Sequence, residues 1–154
     1  MSNEKAMKPV EILLVEDNDG DIRLTERAFK KGKLLSNLRI VKDGVEALEY
    51  LRHEGAYAHS DLPPPDLILL DLNLPKLDGR EALATIKNDN RLSHIPVIVL
   101  TSSKAEEDVC RSYKLHASCY IQKPVDWKQF TDVITTLEEF WFNIVRLPGR
   151  SDST

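Results

Sequence analysis

The stretch Asp66-Leu-Ile-Leu-Leu-Asp71 decides the fold, because an unbroken apolar run lies between two aspartates. A short run of this kind is typical of a strand that is buried on both faces of a sheet. Residues 10–15 and 95–100 are almost as apolar, whereas residues 38–42 alternate in polarity and residues 118–122 form a shorter, weaker run. The sequence therefore predicts five strands, three of them buried.

Helical periodicity occupies the segments between these strands. Gly32 and Gly55 are expected to end the first two helices, Gly79 to open the third near Asp78, and Asp126 to cap the last. The apolar positions predicted to face the sheet are Ile22, Thr25, Ala28 and Phe29; Val45, Leu48 and Leu51; Ala82, Leu83 and Ile86; Val109 and Tyr113; and a long final stripe of Phe130, Val133, Ile134, Leu137, Phe140, Trp141 and Ile144.

Strands that alternate with helices predict an α/β fold: a doubly wound, five-stranded parallel sheet with helices on both faces. The 154 residues suit one domain. We expect that domain to span residues 10–146, after a flexible N-terminus (residues 1–9) and before a C-terminal tail (residues 147–154).

Composition excludes several function classes. The formal charge of -4 does not favour nucleic-acid binding, which selects for basic surfaces. No apolar run is long enough to cross a membrane or to serve as a signal peptide. The two cysteines cannot form a disulfide framework and favour a reducing compartment. A cytoplasmic protein is the resulting expectation.

Reactive side chains follow four of the five predicted strands. Glu16 and Asp17 follow the first, Asp71 ends the third, Thr101 the fourth, and Lys123 the fifth. Each residue alone would more often be a helix cap or a solvated side chain. Because the carboxyl ends of parallel strands meet at one edge of the sheet, however, we expect them to lie together. Crowded carboxylates need a cation, and Mg²⁺ prefers such oxygen ligands.

These motifs resemble those of response-regulator receiver domains over residues 10–144. The matching segments are Glu16-Asp17, Asp71 with Leu74-Pro-Lys-Leu-Asp-Gly79, Thr101-Ser102 and Tyr120-Ile-Gln-Lys-Pro124. The resemblance implies the flavodoxin-like strand order 2-1-3-4-5. The proline-rich loop at residues 63–65, residues 115–120 and the ending Phe140-Trp141 through Leu147-Pro148 are most similar to the stand-alone regulators of cyanobacterial bacteriophytochromes.

The resemblance implies a two-component phosphorelay, in which Asp71 accepts a phosphoryl group from a sensor histidine kinase, here a bacteriophytochrome. It implies a Mg²⁺ ion held by Glu16, Asp17, Asp71 and the main-chain carbonyl of Asn73; Mn²⁺ or Ca²⁺ could substitute. The protein would then be no enzyme beyond catalysing its own phosphorylation and dephosphorylation. Its signal would pass to an unidentified downstream protein.

Further roles follow from the same resemblance. Lys123 would pair with a phosphoryl oxygen, and Thr101 would donate a hydroxyl to another oxygen. Tyr120 would turn inward when Thr101 moves, and the surface of the fourth helix, fifth strand and fifth helix would switch. A cis peptide would join Lys123 to Pro124. His116 departs from the glycine common at its position, which implies a strained left-handed backbone.

Residues outside the acceptor set have expected roles as well. Asn73 and Ser103, two positions after Asp71 and Thr101, would tune the lifetime of the phosphoaspartate. The apolar band widens at the C-terminus, where it predicts either a segment folded over its own domain or a homodimer. The candidate dimer residues are Trp141, Phe142, Val145 and Leu147.

Three other classes of protein are alternative interpretations of the sequence. A flavodoxin-like cofactor binder would need a phosphate-binding loop after the first strand, where Glu16-Asp17-Asn18-Asp19 would repel phosphate. A haloacid-dehalogenase-like phosphatase would need a second aspartate where Asn73 stands. A pseudo-receiver would bind partners without phosphorylation, but every functional position of a receiver is present.

Overall fold

The computed structural model contains one parallel sheet with helices on both faces, and it describes residues 9–32, 35–112 and 116–134. The strands are β1 (Val10–Val15), β2 (Ser36–Val41), β3 (Leu67–Asp71), β4 (Val97–Thr101) and β5 (Cys119–Gln122). The helices are α1 (Asp19–Lys31), α2 (Gly44–Arg52), α3 (Gly79–Asn88), α4 (Lys104–Ser112) and α5 (Trp127–Ile134), and a 3₁₀ turn covers Gly55–Tyr57. The sheet order β2-β1-β3-β4-β5 confirms the predicted doubly wound fold.

Two hydrophobic layers enclose the central strands, as their continuous apolar character predicts. Successive side chains of a strand point to opposite faces, so Leu69 joins one layer and Leu70 the other. The first layer contains Phe29 of α1 and Phe130 of α5, whose ring centroids lie 4.7 Å apart. The second layer is formed mainly with α2, α3 and Cys110 of α4. The central strands are therefore covered on both faces of the sheet.

Helix orientation corrects two of the predicted inward positions. Val45 is 42% exposed and Val109 is 48% exposed. In α2 the buried stripe is Gly44, Ala47, Tyr50 and Leu51. Cys110, which is fully buried, takes the inward position in α4. At both positions the residue predicted to face inward is one place along the helix, or about 100° around its axis, from a buried residue. A stripe of only two or three apolar residues is too short to define the inward face that accurately.

The end of α2 also differs from expectation. His53, at φ 55°, adopts the left-handed conformation that closes the helix, and its N–H bonds to the carbonyl groups of Glu49 and Tyr50. Gly55, predicted to close α2, lies in the following 3₁₀ turn at φ 56°. Glycine is the residue usually expected at a left-handed helix end. Histidine also tolerates this conformation better than most residues but is not a typical helix-end signal, so the sequence did not indicate His53.

The beginning of α5 follows the prediction. Asp126 accepts a hydrogen bond from the N–H of Gln129 at 2.8 Å, so it caps the helix. The dimer candidates Trp141, Phe142, Val145 and Leu147 lie outside the described residues, as do the predicted tail and residues 1–8 of the N-terminus. Within the described ranges, no helix is long and apolar enough to span a bilayer.

Candidate functional site

The register of the sheet brings the reactive strand ends together. Val15 of β1 pairs with Leu70 of β3, so the next residues, Glu16 and Asp71, are level with each other. Asp71 pairs with Leu100 of β4, which places Thr101 one step beyond. Thr101 in turn pairs with Gln122 of β5, the residue before Lys123. All four strand ends therefore meet at one edge, at the point where the strand order reverses.

An acidic cluster occupies this edge. Glu16 and Asp71 are only 1% and 2% exposed, whereas Asp17 is exposed. One carboxylate oxygen from each of the three residues lies within 4.8 Å of the others. The main-chain N–H groups of Asn18 and Asn73 donate to Glu16 and Asp71, each at 3.2 Å. These bonds hold both buried carboxylates in defined positions and leave oxygens of the cluster facing one another.

Burial gives the cluster an unusual electrostatic character. Burial, the hydrogen bond with Asp71 and the negative charge of Asp71 together raise the pKa of Glu16 to about 8, against the lowering effects of Lys123 and of the Asn18 N–H. A buried carboxyl pair of this kind is stabilised by a proton or by a cation. Three carboxylates with only oxygen donors fit a hard divalent ion better than a soft metal. The residues present therefore suit a divalent metal.

Lys123 is the cation of the site. Its Nζ lies 3.3 Å from Asp71 Oδ2, 3.3 Å from Glu16 Oε1 and 2.9 Å from Asp21 Oδ2. Burial lowers the pKa of Lys123, but the hydrogen bond to Asp21 and the charges of Asp71 and Glu16 outweigh burial and raise it. The amine is therefore a stable ammonium. Asp21 was not foreseen from the sequence, where it reads as one of several acids in the first turn of α1.

Thr101 lies at the edge of the site and faces β5. It is completely buried, and its Oγ1 donates to the carbonyl oxygen of Ile121 at 3.5 Å, a long hydrogen bond. The main-chain N–H of Lys123 donates to the carbonyl oxygen of Thr101 at 2.7 Å, and the Lys123–Pro124 peptide bond is cis. The hydroxyl of Thr101 is thus held only weakly, at the edge of the sheet beside Asp71.

Tyr120, in β5, packs against α4. It is half-buried, and burial raises the pKa of its phenol. The guanidinium of Arg111 lies over its ring, 4.4 Å from the centroid, in a cation–π contact. His116, in the loop before β5, has φ 64°, the left-handed conformation expected for its position. Arg111 was not predicted, because its relation to Tyr120 depends on how α4 packs beside β5.

Glu106 is a second residue that the sequence did not single out. Its carboxylate accepts hydrogen bonds from the N–H and hydroxyl of Ser102 at 2.6 and 3.0 Å, and from the side-chain amide of Asn73 at 3.2 Å. The main-chain N–H of Glu106 donates to Ser103 Oγ at 3.1 Å. The predicted lifetime residues Asn73 and Ser103 therefore both contact Glu106, whose only sequence signal is a capping pattern.

A glycine lets α3 begin beside Asp71. The N–H of Gly79 donates to the carbonyl oxygen of Leu72 at 3.0 Å. A Cβ at residue 79 would lie 2.5 Å from the carbonyl oxygen of Asp71 and 2.5 Å from Leu72 Cα, which real structures do not tolerate. Helix α3 starts at Gly79, as the sequence predicted, and the structure places this start in direct contact with the end of β3.

Known proteins are similar to this chain in sequence and fold. Residues 12–135 match the family described as the response regulator receiver domain. The response regulator Rcp1 of Synechocystis sp. (strain PCC 6803) is 44% identical over 147 residues, which cover 96% of this chain and 99% of Rcp1. A structure of the Mn²⁺-bound form of Rcp1 is 46% identical, with a TM-score of 0.69 over 91% of this chain and 99% of that chain.

Two further solved structures are similar. The bacteriophytochrome response regulator AtBRR is 45% identical, with a TM-score of 0.82 over 87% of this chain and 96% of that chain. The phosphorylated cyanobacterial phytochrome response regulator RcpA is 48% identical, with a TM-score of 0.70 over 92% of this chain and 99% of that chain. These matches confirm the resemblance that the sequence motifs indicated.

Proposed function

Because the chain belongs to the response regulator receiver domain family, we propose that Asp71 accepts a phosphoryl group from a sensor histidine kinase in a Mg²⁺-dependent reaction. The observation that carries this proposal is the position of Asp71, a 2% exposed carboxylate between the Lys123 ammonium and two further acids. An aspartate that only capped a helix or was exposed to solvent would not require burial between a lysine and two other carboxylates. The phosphorylated form of the similar protein RcpA supports the same reaction.

The transfer exchanges one bond to phosphorus for another. An Asp71 carboxylate oxygen attacks the phosphorus of a phosphohistidine and forms an O–P bond. The P–N bond breaks, and its electron pair stays on the imidazole nitrogen, which takes up a proton from solvent. Lys123, 3.3 Å from Asp71, offers its ammonium to a phosphoryl oxygen. Burial of the acceptor limits the access of water to the product.

The acidic cluster has the ligands that Mg²⁺ requires. Glu16, Asp17, Asp71 and the main-chain carbonyl of Asn73 would hold the ion, and Mn²⁺ or Ca²⁺ could substitute. Bound there, the ion would offset negative charge on the transferring phosphoryl oxygens. The Mn²⁺-bound form of Rcp1 supports a divalent ion at this edge.

Phosphorylation would be transmitted through Thr101 and Tyr120. The hydroxyl of Thr101 has only a long hydrogen bond to Ile121, so a phosphoryl oxygen would compete for it with little opposition. Its movement would open space that Tyr120 could fill by leaving Arg111. The surface of α4, β5 and α5 would then change. Asn73 and Ser103 would tune the phosphoaspartate lifetime, which the dephosphorylation rates of charged substitutions at both positions would measure.

Membership of the family also bears on the partners of the protein. Receiver domains interact with histidine kinases, and the similar AtBRR and RcpA are phytochrome response regulators. We propose a bacteriophytochrome kinase as the donor, a homodimer as the assembly, and an unidentified protein rather than nucleic acid as the target. We place the reaction in the cytoplasm, where both cysteines would stay reduced. The protein would catalyse only its own phosphorylation and dephosphorylation.

A labelling experiment tests the proposal against a pseudo-receiver. The protein is incubated with Mg²⁺ and acetyl phosphate, and acid-stable, base-labile phosphate is located by peptide mass spectrometry. We expect modification of Asp71, loss of labelling in Asp71→Asn, and retention of labelling in Asp78→Asn, a matched control near the site. Folded wild-type protein that stays unlabelled, both with acetyl phosphate and with a phosphorylated bacteriophytochrome kinase, would favour the pseudo-receiver.

A further inference from the structure

Glu106 joins the two loops that flank the acceptor. Asn73 belongs to the loop after β3, and Ser102 belongs to the loop after β4. The Glu106 carboxylate accepts from the amide of Asn73 and from both donors of Ser102, and the 2.6 Å bond to the Ser102 N–H is short. One carboxylate of α4 thus binds both loops at once.

Helix capping explains only part of this geometry. Ser103 and Glu106 have the spacing of a capping box, in which the acid returns to the N–H of the cap residue itself. Here the Ser103 hydroxyl does accept from the N–H of Glu106, at 3.1 Å. The Glu106 carboxylate, however, reaches Ser102, one residue before the cap, and crosses to Asn73 on another loop. Neither contact is needed to begin a helix.

The contacts form a continuous path from the acceptor to α4. The main-chain N–H of Asn73 donates to Asp71 Oδ1 at 3.2 Å, and its side chain donates to Glu106. Ser102 directly follows Thr101. Burial raises the pKa of Glu106, but the hydrogen bonds from Ser102 and Asn73 outweigh burial and hold the pKa below its usual range. Glu106 is therefore an anion at neutral pH, close to the place where a phosphoryl group would add further negative charge.

We propose that Glu106 is a positioning residue whose negative charge holds Asn73 and Ser102 in the unphosphorylated arrangement, and that phosphorylation of Asp71 weakens this hold. The inference rests on the proposed function. A phosphoryl group carries a charge of about -2 and three strong acceptor oxygens. It repels the Glu106 carboxylate and competes for the donors of Asn73 and Ser102. Phosphorylation of Asp71 then loosens the first turn of α4.

Thermodynamic linkage fixes the direction of the test. If phosphorylation weakens the contacts of Glu106, weaker contacts must favour phosphorylation to the same extent. Glu106→Gln removes the charge but keeps an acceptor that suits a capping box. Asp108→Asn makes the same change of charge in α4 at an exposed residue whose ion pair is with Lys104, and it serves as the matched control.

The experiment first checks that acetyl phosphate labels Asp71 in every variant. It then measures, by calorimetric titration with Mg²⁺ present, the half-saturating concentration of beryllofluoride, which binds the acceptor carboxylate reversibly as an analogue of the phosphoryl group and so gives an equilibrium quantity. We expect Glu106→Gln to lower the half-saturating concentration about 3-fold or more, with a change of less than about 1.5-fold in Asp108→Asn. Amide exchange at Ser102 in the unphosphorylated protein should be faster in Glu106→Gln. A merely structural cap, which glutamine preserves, would move neither quantity.

Asn73→Ala provides a second route to the same inference, because it removes the partner and leaves the helix cap intact. The double variant with Glu106→Gln should shift little more than the larger single shift if the two residues act together. Equal behaviour of wild type, Glu106→Gln and Asp108→Asn would overturn the role of Glu106 while leaving phosphorylation intact. Absence of labelling in all variants, wild type included, would instead overturn the proposed function and this inference with it.

Discussion

Glu16→Gln is expected to abolish a loss of stability that the wild-type protein shows as the pH rises in the absence of divalent ions. Burial and the neighbouring Asp71 together raise the pKa of Glu16 from an ordinary 4.5 to about 8 in the folded protein. The folded state therefore binds this proton more tightly than the unfolded chain does. Stability from this group is fully present below pH 4.5 and is lost as the pH rises toward 8. Glutamine resembles the protonated acid and does not titrate.

The size of the effect follows from the same shift. One pKa unit corresponds to about 1.4 kcal/mol, so between pH 6 and pH 8 the free energy of unfolding should fall by about 2 kcal/mol more in the wild type than in Glu16→Gln. Glu16 is 1% exposed, so solvent screening reduces this figure little. A divalent ion in the cluster should replace the proton, and the wild type should therefore gain more stability from Mg²⁺ at pH 8 than at pH 6.

Urea unfolding followed by tryptophan fluorescence measures both effects, at pH 6 and pH 8, in EDTA and in Mg²⁺. Glu81→Gln, at an exposed position of α3, is the matched control and should keep the wild-type pH dependence. The reasoning would be refuted if wild type and Glu16→Gln lost the same stability between pH 6 and pH 8 in EDTA. It would also be refuted if Mg²⁺ stabilised both proteins equally at pH 8.

Two further predictions concern the supports of the site. Asp21 and Asp71 both contact Lys123 Nζ, at 2.9 and 3.3 Å, so Asp21→Asn removes a charge within about 6 Å of the acceptor, worth about 1 to 2 kcal/mol. We expect Mg²⁺ affinity to fall about 10-fold by calorimetric titration, with a much smaller fall in Asp19→Asn; equal falls would contradict a specific role for Asp21. Gly79→Ala forces a 2.5 Å contact with Asp71 and Leu72, and should lower the free energy of unfolding by about 1 to 3 kcal/mol. Gly20→Ala, which meets only the Asn18 side chain, at 3.2 Å, should lower the free energy of unfolding by less in the same urea-unfolding assay, and equal losses would argue against the contact.

Much of the site could be predicted from the sequence, because parallel strands deliver their carboxyl ends to one edge. The buried runs around β1, β3 and β4 were plain in the apolar pattern, and the residues that follow them were therefore predicted to meet. The structure brings carboxylate oxygens of Glu16, Asp17 and Asp71 within 4.8 Å of one another. It also places Lys123 against Glu16 and Asp71, and Thr101 at the same edge. Short helical stripes were weaker evidence, and at Val45 and Val109 they indicated the wrong face.

By itself, then, the sequence determined the α/β class, the buried strand that ends in Asp71 and the types of side chain at the strand ends, since periodicity and residue type are local properties. Only the tertiary structure decided that Asp21 binds Lys123, 102 positions away, and that Glu106 binds Asn73, 33 positions away. Judged by residue type alone, many other aspartates and glutamates of the chain could have made these two contacts. Which of them reaches a donor depends on how α1 and α4 pack against the sheet, because hydrogen bonds act only over about 3 Å.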